Sequence, residues 1–129
     1  MDKKEKKTKK SKTDKKVNII NQFSMLLQQQ FIHHVYFWLA IPDSKEDHAA
    51  LLKGLQDLSA VPNILTFHIG VPAATNRDVI DTSYAFSWLA VFASAGDQDI
   101  YQTHPIHLHF VDTCKHLWKK VVVYDSIGA

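Results

Sequence analysis

The segment Tyr101–Phe110, with the sequence YQTHPIHLHF, places one phenol and three imidazoles within ten residues. Tyr101, His104 and His107 are spaced three residues apart, so a helical turn would bring all three side chains onto one side. Pro105 cannot donate a backbone hydrogen bond, and it disfavours helical geometry at His104. We therefore expect a break at His104 and a new helix with Pro105 in its first turn. Side chains held at such a break can point into a cavity, which makes this segment the best functional candidate in the sequence.

The rest of the chain predicts strands and helices in the order strand, helix, strand, strand, helix, strand. Runs of aromatic and β-branched residues that end at Pro42 and Pro72 indicate strands, and apolar residues at helical spacing indicate helices. The strands are predicted at 31–41, 63–71, 82–93 and 120–125, and the helices at about 43–61 and 96–118. This order is typical of a ferredoxin-like α+β fold (βαββαβ), with a four-stranded antiparallel sheet and both helices on one face.

The first predicted strand is apolar on both of its faces. His34, Tyr36 and Trp38 alternate with His33, Val35 and Phe37, and the third predicted strand is similarly rich in aromatic residues. Because helices would cover only one side of the sheet, the other side would expose a large apolar patch. A homodimer that packs sheet face against sheet face would cover it and enclose a barrel-like interior. We expect four aromatic residues to line a ligand cavity there: Tyr36, Trp38, Phe86 and Trp88.

Charge divides the chain into two parts. The overall net charge of +2 combines +6 in residues 1–16, which hold nine lysines, with −4 in residues 17–129. The acidic balance of the second part argues against nucleic-acid binding by the folded domain. We expect a disordered Lys-rich tail at 1–16, a lead-in segment with helical spacing at 17–30, and one domain at 31–126. A solvated extension is the simpler interpretation of the tail, and a polybasic arm for nucleic acid or anionic lipid is the alternative.

The sequence contains no apolar run of the ~20 residues that a membrane-spanning helix needs. Its single cysteine, Cys114, excludes an intrachain disulfide and is expected to be a small core residue. We therefore expect a soluble cytoplasmic protein with no membrane partner.

The region from about Ile32 to Ser126 resembles the stress-responsive A/B-barrel (Dabb) family, whose members are dimeric α+β barrels. Six features carry the resemblance: His34-Val35, the Gly54-Leu55-x-x-Leu58 helix, Gly70, the Tyr101-x-x-His104-Pro105-x-His107 segment, Leu117-Trp118 and Val123-Tyr124-Asp125. Some members resemble plant polyketide cyclases, in which the motif tyrosine and the second motif histidine serve catalysis. The resemblance thus implies roles for Tyr101 and His107. The chain departs from the family in carrying some thirty residues before its first strand.

Aldol cyclisation needs a base to remove a proton next to a carbonyl and a donor that stabilises the developing enolate. A neutral His107 suits the first task, and the Tyr101 hydroxyl suits the second. His34 is a further catalytic candidate. The first and fourth strands should be antiparallel neighbours, so Asp125 is expected to lie beside His34, where it could fix the tautomer of the imidazole or raise its basicity. For His104, a capping role at the helix break is favoured over a role in ligand binding.

A metal site is the second chemical interpretation. His104, His107 and His109 could supply nitrogen ligands, but spacings of three and two do not converge on one ion from a regular helix. The sequence therefore predicts neither a metal nor another cofactor.

Three function classes stay open at this point: a small cyclase- or lyase-like enzyme, a binder of a small hydrophobic molecule, and a dimerisation domain without chemistry. If the protein is an enzyme, we expect the pKa of His107 to change in the Tyr101→Phe variant. A binder predicts that ligand is retained after Tyr101→Phe and His107→Ala, and a structural module predicts that there is no open cavity.

Overall fold

A four-stranded antiparallel sheet forms the centre of the fold. The computed structural model describes residues 11–129, apart from the side chains of Ile20 and residues 23–25. Its elements follow in the order α1 (Lys12–Gln28), β1 (Phe31–Leu39), α2 (Lys45–Leu58), β2 (Thr66–Gly70), β3 (Phe86–Phe92), α3 (Ala95–Thr103), α4 (Pro105–Cys114) and β4 (Trp118–Ser126). A short 3-10 turn, Lys115–Leu117, joins α4 to β4.

This order confirms the predicted ferredoxin-like α+β fold, with sheet order β2-β3-β1-β4 and antiparallel pairing throughout. Strands β2 and β3 begin at Thr66 and Phe86 and are shorter than predicted. Leu65 and Ala85, just before them, still donate backbone hydrogen bonds to Val91 and Phe37. Helix α1 begins at Lys12, within the segment predicted to be a disordered tail. The remainder of that predicted tail, residues 1–10, lies outside the described residues.

Local chemistry explains where the helices begin. Ser44 accepts a hydrogen bond from the Asp47 backbone N–H at 3.1 Å and caps α2, and Ser94 caps α3 through the backbone N–H of Asp97. Acidic residues in these first turns, Asp47 and Asp97 among them, complement the helix dipole. The described helices include none that is long and apolar enough to cross a membrane.

The predicted break before Pro105 is confirmed. His104 has φ −65° and ψ 140°, an extended geometry that relieves the clash with the Pro105 ring, and α3 therefore ends at Thr103. Pro105 then occupies the first turn of α4, where a missing N–H costs nothing. The break divides the second helical region into two helices, so that Tyr101 lies on α3 and His107 on α4.

The two faces of the sheet differ in what covers them. On one side, the covered face, β1 and β3 contribute His33, Val35, Phe86 and Trp88 to a buried core with residues of α2, α3 and α4. Gly54 lets α2 approach α4, because a Cβ there would lie 2.5 Å from the sulfur of the buried Cys114. The other side, the open face, carries half-buried apolar and aromatic side chains: Ile32, Tyr36, Trp38, Leu89 and Val122.

Candidate functional site

Tyr101 and His107 meet on the covered face of the sheet. Their ring centroids are 4.6 Å apart, because the break at His104 turns α4 back beside α3. Tyr101 also contacts Phe92 of β3 and His33 of β1, at centroid distances of 5.0 and 5.6 Å. The pair predicted from the sequence motif therefore lies where four elements of the fold meet: α3, α4, β1 and β3.

The Tyr101 hydroxyl is enclosed by the core, since only 1% of the residue is exposed. The indole Nε1–H of Trp88 donates a hydrogen bond to the hydroxyl oxygen at 3.2 Å. Burial raises the pKa of Tyr101 above its ordinary value, and the bond from Trp88 opposes this only in part. Tyr101 is thus protonated at neutral pH, and its own O–H remains available to donate.

His107 is oriented by the backbone of the helix break. Its Nδ1 lies 2.9 Å from the carbonyl oxygen of Gln102, which can only accept a hydrogen bond. Nδ1 therefore carries the hydrogen and donates, and in this tautomer Nε2 keeps a free lone pair. Burial lowers the pKa of His107 below its ordinary value of 6.5, and the bond to the Gln102 carbonyl acts in the opposite direction with a smaller effect. His107 is therefore neutral at pH 7, which is the form that can accept a proton.

His33 adds a second imidazole that the sequence analysis missed. Its Nδ1 lies 2.6 Å from Oδ1 of Asp125, and the residue is only 6% exposed. With Nδ1–H donating to the carboxylate, Asp125 holds the His33 ring in one orientation. His33, Tyr101, His107 and Asp125 thus form one group on the covered face.

The prediction that Asp125 pairs with His34 was wrong by one residue. β1 and β4 are antiparallel neighbours as expected, but the register places Asp125 opposite His33 and Tyr124 opposite His34. Directly paired residues point to the same face, so Asp125 reaches only His33. The sequence offers one signal for this: His33 shares its face with Val35 and Phe37, the more apolar alternation of β1.

His34 lies instead on the open face. Its ring is 4.5 Å from that of Tyr36, and its Nδ1 is 3.4 Å from the Tyr36 hydroxyl. Burial lowers the pKa of His34, and His68 and His33 lower it further. His34 is therefore separated by the sheet from Tyr101 and His107.

His104 has the capping role that the sequence analysis favoured. Its Nδ1 accepts a hydrogen bond from the backbone N–H of Ile106 at 3.1 Å and so caps α4. This use of Nδ1 turns the imidazole toward the start of α4, and the Tyr101–His107 pair forms without it.

A model of the stress responsive A/B barrel domain (Dabb) matches residues 32–127. The chain belongs to this family. The Dabb match contains all four residues of the covered-face group and begins after α1. No curated protein sequence matches the chain significantly.

Solved structures share the fold with this Dabb chain at low sequence identity. A Dabb family protein with a ferredoxin-like fold from Mesorhizobium loti is 24% identical, with a TM-score of 0.65, and the match covers 78% of this chain and 97% of that one. A dimeric ferredoxin-like protein of unknown function from Bacteroides fragilis is 19% identical, with a TM-score of 0.62 and coverage of 78% and 98%. A hydroxynitrile lyase from Passiflora edulis is 17% identical, with a TM-score of 0.64 and coverage of 78% and 94%.

The aromatic residues predicted to line one cavity are divided by the Dabb sheet. Phe86 and Trp88 are each 1% exposed and belong to the core on the covered face. Tyr36 and Trp38 lie on the open face, where they contact Tyr84 just before β3. The expectation of a single cavity lined by all four was wrong, because Phe86 and Trp88 pair in register with Phe37 and Val35, which face the helices.

Within residues 11–129, no three His, Cys, Asp or Glu side chains are placed so that they could hold one metal ion.

Proposed function

We propose that this protein is a homodimeric A/B-barrel protein that binds a small, mainly apolar or aromatic molecule and catalyses a cyclase- or lyase-like acid–base reaction on it. The observation that carries the proposal is the convergence of Tyr101, His107 and the His33–Asp125 pair on the covered face. The substrate site is then between the sheet and the helices.

In the proposed reaction, Nε2 of His107 removes a proton from a carbon next to a carbonyl group. The electron pair of that C–H bond forms the enolate double bond, and negative charge develops on the carbonyl oxygen. The Tyr101 O–H donates a hydrogen bond to this oxygen, which stabilises the enolate in a water-poor site. The protonated His107 then returns its proton to the product.

His33 supports the same chemistry as a second imidazole beside Tyr101. Its edge contact with Tyr101 and its bond to Asp125 hold it in one orientation. In the proposal, His33 positions Tyr101 and the carbonyl group, while His107 exchanges the proton. The substrate approaches beside His107, because its ring is more exposed than those of Tyr101 and His33.

The comparisons support this proposal at the level of the fold. A lyase is among the proteins with the same architecture, and the Bacteroides fragilis neighbour is described as dimeric. The open face supports the dimer on physical grounds, since its half-buried apolar side chains Ile32, Leu89 and Val122 are bordered only in part, by the end of α1 and by residues 126–129. A stable homodimer typically buries about 1,200–2,000 Å² or more, and a sheet face can supply such an area.

A non-catalytic dimerisation domain is the second candidate function. The near-complete burial of Tyr101 and its bond from Trp88 favour it, because a buried tyrosine with a satisfied hydroxyl can serve packing alone. The two candidates differ in whether His107 exchanges protons with a bound carbonyl compound.

Deuterium uptake by phenylacetone in D₂O, followed by ¹H NMR, tests the proposed proton transfer without knowledge of the natural substrate. The wild-type protein is expected to accelerate exchange at the carbons next to the carbonyl, and His107→Gln to reduce this acceleration about 10²-fold or more. The matched control is His104→Asn, which removes a neighbouring imidazole but keeps a side chain that can cap α4.

The pH dependence of the exchange identifies the base. Because burial lowers the pKa of His107, the rate is expected to rise with pH through a midpoint below 6.5 and to be level at neutral pH. Absence of exchange at any pH, together with native mass spectrometry showing a dimer without bound ligand, would favour the structural candidate. Equal loss of activity in His104→Asn and His107→Gln would contradict the role given to His107.

A further inference from the structure

The open face carries a pocket of about 300 Å³ on the opposite side of the sheet from Tyr101 and His107. Four aromatic side chains and one carboxylate line this aromatic pocket: Tyr36, Trp38, Tyr84, Tyr124 and Asp81. All of them come from one chain, and none takes part in the proposed acid–base reaction.

The rings of the aromatic pocket stand nearly perpendicular to one another. The interplanar angle is 73° for Tyr36 and Tyr84, 79° for Trp38 and Tyr84, and 74° for Tyr36 and Tyr124. The centroids in these pairs are 4.9, 6.4 and 6.1 Å apart, so each ring contacts the next one with its plane nearly perpendicular to it. A group bound in such a corner meets more than one aromatic surface, and the face of each ring carries negative electrostatic potential.

Asp81 adds a fixed negative charge at the edge of the pocket. Its Oδ1 accepts hydrogen bonds from the backbone N–H of Ser83 at 2.8 Å and from the Ser83 hydroxyl at 2.5 Å. The Ser83 hydroxyl oxygen in turn accepts a bond from the indole N–H of Trp38 at 2.9 Å. This chain of bonds fixes the carboxylate relative to the Trp38 ring, and the bonds from Ser83 lower the pKa of Asp81.

One ammonium group of the protein itself, that of Lys120, already lies over a ring of the aromatic pocket. Nζ of Lys120 lies 4.6 Å from the centroid of a Trp38 ring, within the range of a cation–π interaction. Lys120 pairs with Trp38 across β1 and β4 and is an exposed residue at the rim. Its position indicates that the aromatic rings of the pocket attract a positive charge.

We propose that the aromatic pocket binds the alkylammonium group of a small molecule, either a quaternary ammonium or a protonated, alkylated amine. Several aromatic faces and one carboxylate together favour a cation with an apolar surface over both a neutral apolar group and a strongly hydrated ion. The volume of the pocket accommodates a trimethylammonium group. This site goes beyond the proposed acid–base reaction and does not depend on it.

Choline and its neutral carbon analogue, 3,3-dimethylbutan-1-ol, test the proposal as a pair of equal shape and different charge. In the ¹⁵N-labelled full chain, choline is expected to shift the indole N–H signal of Trp38, while the signals of Trp88 and Trp118 stay in place as internal references. The neutral analogue is expected to bind about tenfold more weakly. Equal affinity for both compounds, or no shift with choline, would overturn the proposal.

Substitutions at two exposed residues are expected to change choline affinity in opposite directions without disturbing the core. Asp81→Asn is expected to weaken choline binding several-fold, and Lys120→Met to strengthen it, because Lys120 competes for the Trp38 face. Tyr84→Leu is expected to weaken binding about tenfold and Tyr84→Phe to preserve it, since only the former removes an aromatic face. Phe67→Leu, at an exposed aromatic residue on the covered side, is the control and should leave choline affinity unchanged. Because the Phe67 ring stacks on Trp88, Trp118 serves as the reference signal in this variant.

If Asp81→Asn and Lys120→Met both leave choline affinity unchanged, the pocket does not recognise charge and the proposal is wrong. Sedimentation of the same samples shows whether choline changes the oligomeric state. A change in sedimentation without a Trp38 shift also contradicts binding at the aromatic pocket.

Discussion

At the scale of single residues, the covered-face group depends on hydrogen bonds that leave no buried polar atom without a partner. Trp88 donates to Tyr101, His107 donates to the Gln102 carbonyl, and His33 donates to Asp125. Among the described residues, every buried side-chain nitrogen or oxygen has such a partner. Removing one partner therefore costs the desolvation of the other, because a buried group cannot turn to water instead.

Tyr101→Phe is expected to lower the free energy of unfolding by about 1–3 kcal/mol. The substitution keeps the ring but leaves the buried indole N–H of Trp88 without an acceptor. Urea denaturation measures the change, and Tyr124→Phe is the matched control because Tyr124 is 64% exposed. The control should stay within about 0.5 kcal/mol of wild type. Equal effects of the two substitutions would show that the Trp88–Tyr101 bond contributes nothing to stability.

At the scale of elements, the junction between α3 and α4 positions the site. Pro105 forces His104 into extended geometry, and the His104 side chain then compensates by capping the new helix. This turn brings His107 against Tyr101 and places the Gln102 carbonyl where His107 can donate to it. An uninterrupted helix through this segment would have placed Tyr101 and His107 almost two turns apart.

His104→Ala is expected to destabilise the protein by about 1 kcal/mol, because the Ile106 N–H loses its capping acceptor. His104→Asn should restore most of this loss, since an asparagine side chain can accept the same bond. Thermal and urea unfolding of the two variants measure the difference. The capping role is contradicted if alanine is as stable as histidine, or if asparagine is no better than alanine.

At the scale of the whole molecule, the sheet has one face covered by α2, α3 and α4 and one that the end of α1 and residues 126–129 border only in part. The open face is apolar at the half-buried residues Ile32 and Leu89, and aromatic at the Trp38 end. Dimerisation through this face would hide the apolar part from water, and hydrophobic burial is the main source of free energy for such contacts.

Leu89→Lys is expected to convert the dimer into a monomer, because it places a charge at the centre of the proposed interface. Leu108→Lys is the matched control: Leu108 is an exposed apolar residue on α4, on the helix side of the molecule. Analytical ultracentrifugation should find a dimer for the wild type and the control and a monomer for Leu89→Lys. A monomeric wild type would remove the proposed dimer and leave the open face without an explanation.

Much of the fold could be predicted from local signals in the sequence. Alternation in β1, the start of α2 after Asp43-Ser44 and the His104-Pro105 break all depend on a few neighbouring residues, and each appears in the structure close to where it was expected. The site could be predicted only in part. Tyr101 and His107 belong to a local motif, whereas His33 and Asp125 are 92 residues apart and meet through strand pairing.

The sequence by itself determined the order of elements, the break before Pro105 and the apolar character of both sides of β1, because these depend on short-range periodicity and on backbone sterics. Only the tertiary structure decided which histidine meets Asp125 and which aromatic residues share a face. A shift of one residue in strand register moves every side chain to the other side of a sheet. Register depends on how the whole sheet packs against its helices, and this separated the Tyr36–Trp38 pocket from the Tyr101–His107 group.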